Sequence, residues 1–351
     1  MADNRIVATV IPVLDEEEHI ERCLCSLIDQ TWPAEQHRIL VLDSGCVDAT
    51  MAIVEEVAAR SRDAGGPAIE VIDNPRQQVA IARNIALERV GKDVTHMFEM
   101  IGHAWVPPNH LQARMEDLEA REASLGVKIG AIGTRVAMSD ENLSGQALAI
   151  ELALMSKLGS GGGQFEQFSV AKQSIVTAFC IHSVEAVRQV GGWDEAWVTG
   201  QDHDLNHSIS ESGWQVWRSP ASFLHMAKRK SFVGLTRLGM RYGYWRMRQL
   251  ISHPKRARMK EFLPWIGAIL TFGLIFAGST FWFIAPSIYL SALVVDSIPV
   301  AFDRRRPQLI FTCPIALFIL HSSFSAGLLW GLAGWPSPVN DRTGRKVSES
   351  G

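Results

Sequence analysis

Residues 97 to 108 read MFEMIGHAWVPP, and Glu99 and His103 stand two alternations apart in them, on one face with Ile101 if the chain is extended. A carboxylate and an imidazole at the end of an apolar strand form a place where a metal ion or a sugar nucleotide can sit. A rim histidine on an ordinary core strand is the alternative. Three other stretches concentrate polar chemistry. VLDSGCVDAT (41–50) leaves a strand through a tight turn, with Asp43 at the strand end and Asp48 or Thr50 placed to cap a helix. RQQVAIARNIAL (76–87) carries Arg83 and Asn84 on a helical pattern, and GGWDEAWVTGQDHDLNHSI (191–209) crowds Trp193, Trp197, Asp202 and Asp204. Cys23, Cys25, Cys46, Cys180 and Cys313 are odd in number and scattered, without a C-x-x-C pair, so they read as reduced structural thiols.

The elements that must position these residues are legible in the hydrophobic pattern. RIVATVIPVL (5–14) is a β-branched run, and Ile20, Leu24 and Leu27 after it recur at helical spacing. RILVLD (38–43), AIEVIDNP (68–75) and the 97–108 segment supply further strands, with helices over 50–61 and 79–90 between them. Strands alternating with helices predict an α/β fold with a parallel sheet covered on both faces, and ligands of such sheets bind at the carboxyl ends of the strands. Asp43 and His103 both fall there. From 104 to 191 the pattern loosens into a polar helix, a strand pair around IGAIGTRVAM, and GSGGG (159–163), which reads as a loop.

Composition then changes. The net charge of −3 gives no electrostatic reason to expect nucleic acid as a partner. Residues 228–261 nevertheless hold eleven Lys and Arg against one Glu, interleaved with apolar residues, which reads as an amphipathic segment on an anionic leaflet. Residues 262–335 are long and apolar enough for two to three transmembrane helices, interrupted by Arg304 to Arg306. The positive-inside rule places both basic runs in the cytoplasm, and the tail outside if the third segment crosses fully. The start of the chain lacks the pattern of a signal peptide. The expected organisation is a cytoplasmic domain over 1–227, an interfacial segment over 228–261, membrane helices over 262–335 and a polar tail over 336–351.

Taken together, IPVLDEEEHI, VLDSGCVDAT, RQQVAIARNIAL, IGHAWVPP and VGGWDEAWVTGQDHDLNHSI resemble, in order and spacing, the family-two glycosyltransferases of the GT-A fold. The resemblance covers roughly residues 5–250 and is nearest to the membrane-attached enzymes of exopolysaccharide and lipid-linked glycan assembly. It implies a Rossmann-like mixed sheet followed by C-terminal transmembrane helices. It also implies inverting transfer from a nucleotide-sugar donor, a UDP-sugar first, to a lipid-linked or polysaccharide acceptor. Carried over position by position, Pro12, Asp15, Glu16, Glu17, Asp43, Asp48, Arg83 and Asn84 line the donor pocket, and Asp202 is the general base. Trp193, His225 and Arg229 face the diphosphate or the acceptor. The family's metal motif falls on Ile101-Gly102-His103, which leaves His103, with Glu99 as a candidate helper, for a weak or altered Mg or Mn site. The sequence departs from the pattern at Ile101, at Gln201 before the base, at Ser208 and at Leu238. Those departures leave a second reading open, a weakened relative that binds a sugar nucleotide or a partner enzyme as a scaffold.

Overall fold

A computed structural model of the chain describes residues 5–338. The expected polar tail therefore lies largely outside the described residues. In chain order the strands are β1 (Ile6–Val13), β2 (His37–Asp43), β3 (Ala68–Asp73), β4 (Val94–Glu99), β5 (Ala104–Trp105), β6 (Ile129–Val136), β7 (Lys172–Gln173), β8 (Ala178–Ser183) and β9 (Gln215–Met226). The helices are α1 (Ile20–Ile28), α2 (Thr50–Asp63), α3 (Val79–Arg89), α4 (His110–Leu125), α5 (Gly145–Met155), α6 (Lys157–Ser160), α7 (Val184–Gln189), α8 (Gln201–Glu211), α9 (Phe232–Ser252), α10 (Leu263–Phe276), α11 (Ile284–Asp303) and α12 (Leu309–Leu332). The described residues divide into two compact units, the first built from residues 5–137 and 167–227, the second from 138–166 and 228–338. Residues 138–166, read with the amino-terminal domain from sequence, thus belong to the second unit.

Among the described residues all strands lie in the first unit, in the order β3-β2-β1-β4-β8-β6-β9-β5, with β7 added on β9. The first four pair in parallel, as the alternation of strands and helices requires. Beyond β4 the sheet becomes mixed, because β8 pairs antiparallel to both β4 and β6 while β6 and β9 run parallel. The stretch IGAIGTRVAM forms the single strand β6, not a strand pair. Alternation buries the central strands twice over: Ala8, Val10, Leu40 and Leu42 join a core with α3, α7 and α8, and Val7, Ile11, Ile39 and Val41 on the opposite phase are equally buried. The carboxyl ends of β1, β2 and β4 are thereby fixed side by side.

In the second unit, α5 is an apolar helix whose Glu151 is 1% exposed in its side chain and holds the Lys228 ammonium at 2.6 Å. Burial pulls the Lys228 pKa down, and the Glu151 carboxyl beside it opposes that. Segments 259–276, 280–303 and 309–332 are long and apolar enough to cross a membrane.

Candidate active site

The loops after β1 and β2 are latched to each other by carboxylates. Asp15, in the left-handed region at φ +51°, accepts from Val47 N at 2.9 Å on Oδ1. Asp48 accepts from Glu17 N at 3.2 Å and Thr50 N at 2.9 Å, Glu17 accepts from Ala49 N at 3.0 Å, and Glu16 N donates to Thr50 Oγ1 at 2.7 Å. Against some desolvation, the bonds from Thr50 and Glu17 hold the Asp48 carboxyl below its ordinary pKa. Asp43 uses Oδ1 to close its own turn, accepting from Gly45 N at 3.0 Å and Cys46 N at 2.9 Å, and stays half-exposed at the strand end. Pro12 lies beside Leu42 in the β1–β2 register. The structure thus gathers Pro12, Asp15, Glu17, Asp43 and Asp48 at one sheet edge. The nearby thiol of Cys46 is pushed up to about 12 by burial and by Asp43 and Asp15, so it is unreactive there.

Strand β4 stops at Glu99, so the extended phase that would align Glu99 with His103 is broken by the turn at 101–103. Their partners differ accordingly. His103 Nδ1 lies 2.7 Å from Glu16 Oε1, over Gly102, where a side chain would press on Glu16. Glu99 turns into the core and is 2% exposed. Its Oε1 lies 3.1 Å from Arg83 Nη1 and accepts from Trp193 Nε1 at 3.0 Å. An oxygen-seeking divalent ion at the position of the family motif would find an imidazole already paired with one carboxylate, and an isoleucine where a second carboxylate belongs. These residues do not fit a Mg or Mn centre of the usual kind.

The Glu99 cluster organises the loop that delivers Asp202. Asn84 grips Trp193 on both sides of its backbone, donating to Trp193 O at 2.8 Å and accepting from Trp193 N at 2.8 Å, and also donates to Glu195 at 3.3 Å. Gly192, at φ +87°, must be glycine, since a Cβ there would stand 2.6 Å from Asn84 Oδ1. Arg83 and Asn84, expected against the donor, are therefore engaged inside the fold. Trp193, expected to stack on a ligand, is core at 2% exposure.

Asp202 occupies the first turn of α8, behind Gly200 at φ +83°. The helix start favours its negative charge. Even so, burial of the carboxyl first, and then the Glu99 carboxylate, raise its pKa from 3.8 to about 6, with Arg83 pulling the other way. A carboxyl whose pKa is raised to about 6, on a residue that is itself only partly buried, is suited to accepting a proton. Asp204 is buried at 8%, further along the same turn.

His225 pairs with Trp105 between β9 and β5, its ring stacked on the indole at 6.1 Å. Arg229 belongs to the second unit. Sequence reasoning missed His182 and Asn206, which complete the cluster under Asp202. His182 Nε2 lies 3.0 Å from Asn206 Oδ1 and Nδ1 lies 3.9 Å from Glu99, and burial lowers the His182 pKa so that the ring is neutral. Their only signal was a histidine inside the apolar run AFCIHS.

Residues 9–149 match the family model described as Glycosyl transferase family 2. The succinoglycan biosynthesis protein ExoA of Rhizobium meliloti (strain 1021) is 25% identical over 319 residues, spanning 91% of this chain and 92% of that protein. A dolichyl N-acetyl-alpha-D-glucosaminyl phosphate 3-beta-D-2,3-diacetamido-2,3-dideoxy-beta-D-glucuronosyltransferase of Methanococcus voltae is 23% identical over 330 residues, spanning 93% and 97%. Among solved structures, the mannosyltransferase PcManGT of Pyrobaculum calidifontis, in complex with GDP-Man and Mn2+, superimposes with a TM-score of 0.57 at 15% identity, over 94% of this chain and 88% of that one, a likeness of fold. This chain carries a glycosyltransferase family 2 domain of the GT-A fold and is a glycosyltransferase.

Proposed function

We propose that the protein is a membrane-bound inverting glycosyltransferase that moves a sugar from a nucleotide donor, a UDP-sugar first, to a lipid-linked or polysaccharide acceptor at the cytoplasmic face. The observation that carries the reading is Asp202 at the start of α8 with a pKa raised to about 6. In this reading Asp202 takes the proton from the acceptor hydroxyl as that oxygen bonds to the anomeric carbon. The bond from that carbon to the diphosphate breaks with inversion, and the nucleoside diphosphate leaves with the electron pair. Asp43, Asp15, Glu17, Asp48 and Pro12 bind the nucleoside end, with carboxylates accepting from ribose hydroxyls or a base N–H. His225 and Arg229 serve the diphosphate or the acceptor, and Glu99, Arg83, Asn84 and Trp193 hold Asp202 in place. The names of the relatives, a succinoglycan biosynthesis protein and a transferase acting on a dolichyl phosphate sugar, favour a polysaccharide or lipid-linked acceptor. The apolar helices favour membrane attachment, and the cations at 228–261 and 304–306 favour a cytoplasmic catalytic unit.

The test is sugar transfer by the purified full chain in detergent, across a panel of UDP-sugars with GDP-mannose as a further arm. Asp202→Asn is expected to lower turnover about 10²- to 10⁴-fold while donor binding persists. Full activity in that variant refutes the assignment. Metal enters this reading only as a weak or altered dependence: chelation is expected to reduce turnover modestly, and His103→Ala to remove the residual metal response. Abolition of turnover by chelation, restored by manganese, would show an ordinary metal requirement.

The paired His103 and Glu16, with Ile101 beside them, favour one second reading, a scaffold that binds the nucleotide sugar without turnover. Calorimetric binding of UDP with no transfer from any donor selects it.

A further inference from the structure

Residues 101–108 carry His103 and Trp105, and α1 holds them. Ser26 and Gln30, one and two helical turns on from Arg22, grip the backbone of this segment and of the residues just after it. Ser26 Oγ accepts from Val106 N at 3.2 Å, while Gln30 donates from Nε2 to Pro107 O at 2.9 Å and accepts on Oε1 from Leu111 N at 3.0 Å. Arg22 stands at the head of the same row. It is exposed, and it lays its guanidinium on a side chain of the segment instead, 3.7 Å from the centre of the Trp105 ring.

From Trp105 the packing continues into β9. Trp105 and His225 are cross-strand partners in the antiparallel β5–β9 pair, and their rings lie 6.1 Å apart with planes 23° from parallel. Phe223, two residues back on the same face of β9, meets the imidazole edge-on at 5.3 Å and 82°, and Arg135 lies 5.7 Å over Phe223. Stacked and edge-to-face contacts are both favoured aromatic geometries, and here they act on one imidazole from two directions. A histidine on a strand is otherwise free about two side-chain torsions, and a group that must hydrogen-bond a reacting molecule has to be held to within about 10–20°. The backbone bonds from α1 fix where the segment runs. The ring pair, with the guanidinium over it, fixes where the imidazole points.

We infer that Trp105 and Arg22 are positioning residues for sugar transfer: Trp105 sets the plane of the His225 imidazole, and Arg22 clamps Trp105 against it. The inference rests on the reading above in which His225 serves the diphosphate or the acceptor, and it gives two further residues a part in that reading. At 5% exposure Trp105 is closed to a sugar ring, so it acts through His225 and not on a ligand.

The test is kcat and donor KM of the full chain in detergent, with the nucleotide sugar of the panel above that supports transfer. Trp105→Leu is expected to lower kcat about 10- to 100-fold with a smaller change in donor KM, and Trp105→Phe to stay within about three-fold of the parent, because a stacked ring is restored. Arg22→Met, at an exposed position, is expected to lower kcat about three-fold with an unchanged melting temperature. In the His225→Ala chain none of the three substitutions lowers turnover further. Full turnover in Arg22→Met, or losses of the same size with and without His225, overturns the inference and leaves the role of His225 standing; the Arg22→Met arm decides even where Trp105→Leu fails to fold. Full turnover in His225→Ala removes that role and the inference with it. Absence of transfer from every donor in the panel overturns the reading and the inference together.

Discussion

In the proposed reading Asp202 is the base, and its surroundings set its response to pH. Its folded-state pKa of about 6 lies above the ordinary 3.8, so the folded protein binds the extra proton between those values. Stability therefore falls as pH rises from about 4 to about 6, while the base becomes competent over the same interval. At one pKa unit per 1.36 kcal/mol the full shift corresponds to about 3 kcal/mol, and the partial opening of the residue to solvent reduces this to about 1–2. Asp202→Asn is thus expected to be about 1–2 kcal/mol more stable than the parent at pH 7.5, a gain that disappears toward pH 4. Denaturant unfolding across that range measures it. The opposite expectation holds for Glu99. Glu99→Gln leaves Arg83 charged and unpaired in the core, which costs about 3–5 kcal/mol. It also removes a carboxylate that raises the Asp202 pKa, so the acid limb of the pH–rate profile moves to lower pH. Adding Arg83→Met should recover most of the stability, and a double-mutant cycle tests whether the two residues act as a pair.

In the proposed reading the loop between α7 and α8, which leads into Asp202, is the element on which the chemistry depends. Asn84 on α3 and Glu99 on β4 hold it at Trp193, and Gly192 lets the backbone pass over Asn84 in a conformation closed to other residues. Gly192→Ala is therefore expected to destabilise the fold by about 1–3 kcal/mol and to lower kcat more than it raises the donor KM, because it misplaces the base and leaves the nucleotide edge intact. Steady-state kinetics with paired melting curves would check this, and an unchanged kcat would show that the loop does not position Asp202. This element also shows what the sequence could and could not convey. The strand expected over 97–108 overlaps β4 only at 97–99, while strands β1 and β2 were legible because buried parallel strands leave apolar runs rich in β-branched residues, and Asp43 was legible because strand ends and turns are marked locally. The partners of Glu99 were not, because Arg83, His182 and Trp193 come from three distant segments. Nor was its orientation, since the alternation linking it to His103 holds only while the strand stays extended, and that strand ends at Glu99.

Across the whole molecule, charge is divided very unevenly. Residues 228–261 carry a surplus of ten positive charges in a chain whose net charge is −3, so the remaining residues carry −13. The cations flank both ends of the α10–α11 hairpin, with Lys255, Arg256, Arg258 and Lys260 before it and Arg304, Arg305 and Arg306 after it. Near an anionic leaflet each such cation contributes about 1 kcal/mol, and the attraction decays over a Debye length of about 8 Å at physiological salt. In the proposed reading, apolar burial of the hairpin is indifferent to salt and holds the protein in the membrane, while the cations add an attraction of the basic segments to an anionic leaflet. Transfer by the full chain in nanodiscs is therefore expected to be faster with phosphatidylglycerol than with phosphatidylcholine alone. The difference should narrow as salt rises from 50 mM to 500 mM, where the Debye length contracts to roughly a third. Transfer to a soluble acceptor analogue should not depend on the lipid, because no approach to the surface is needed. Equal rates in both lipids at low salt would mean that the hairpin alone sets the working distance and that the basic runs serve orientation during insertion.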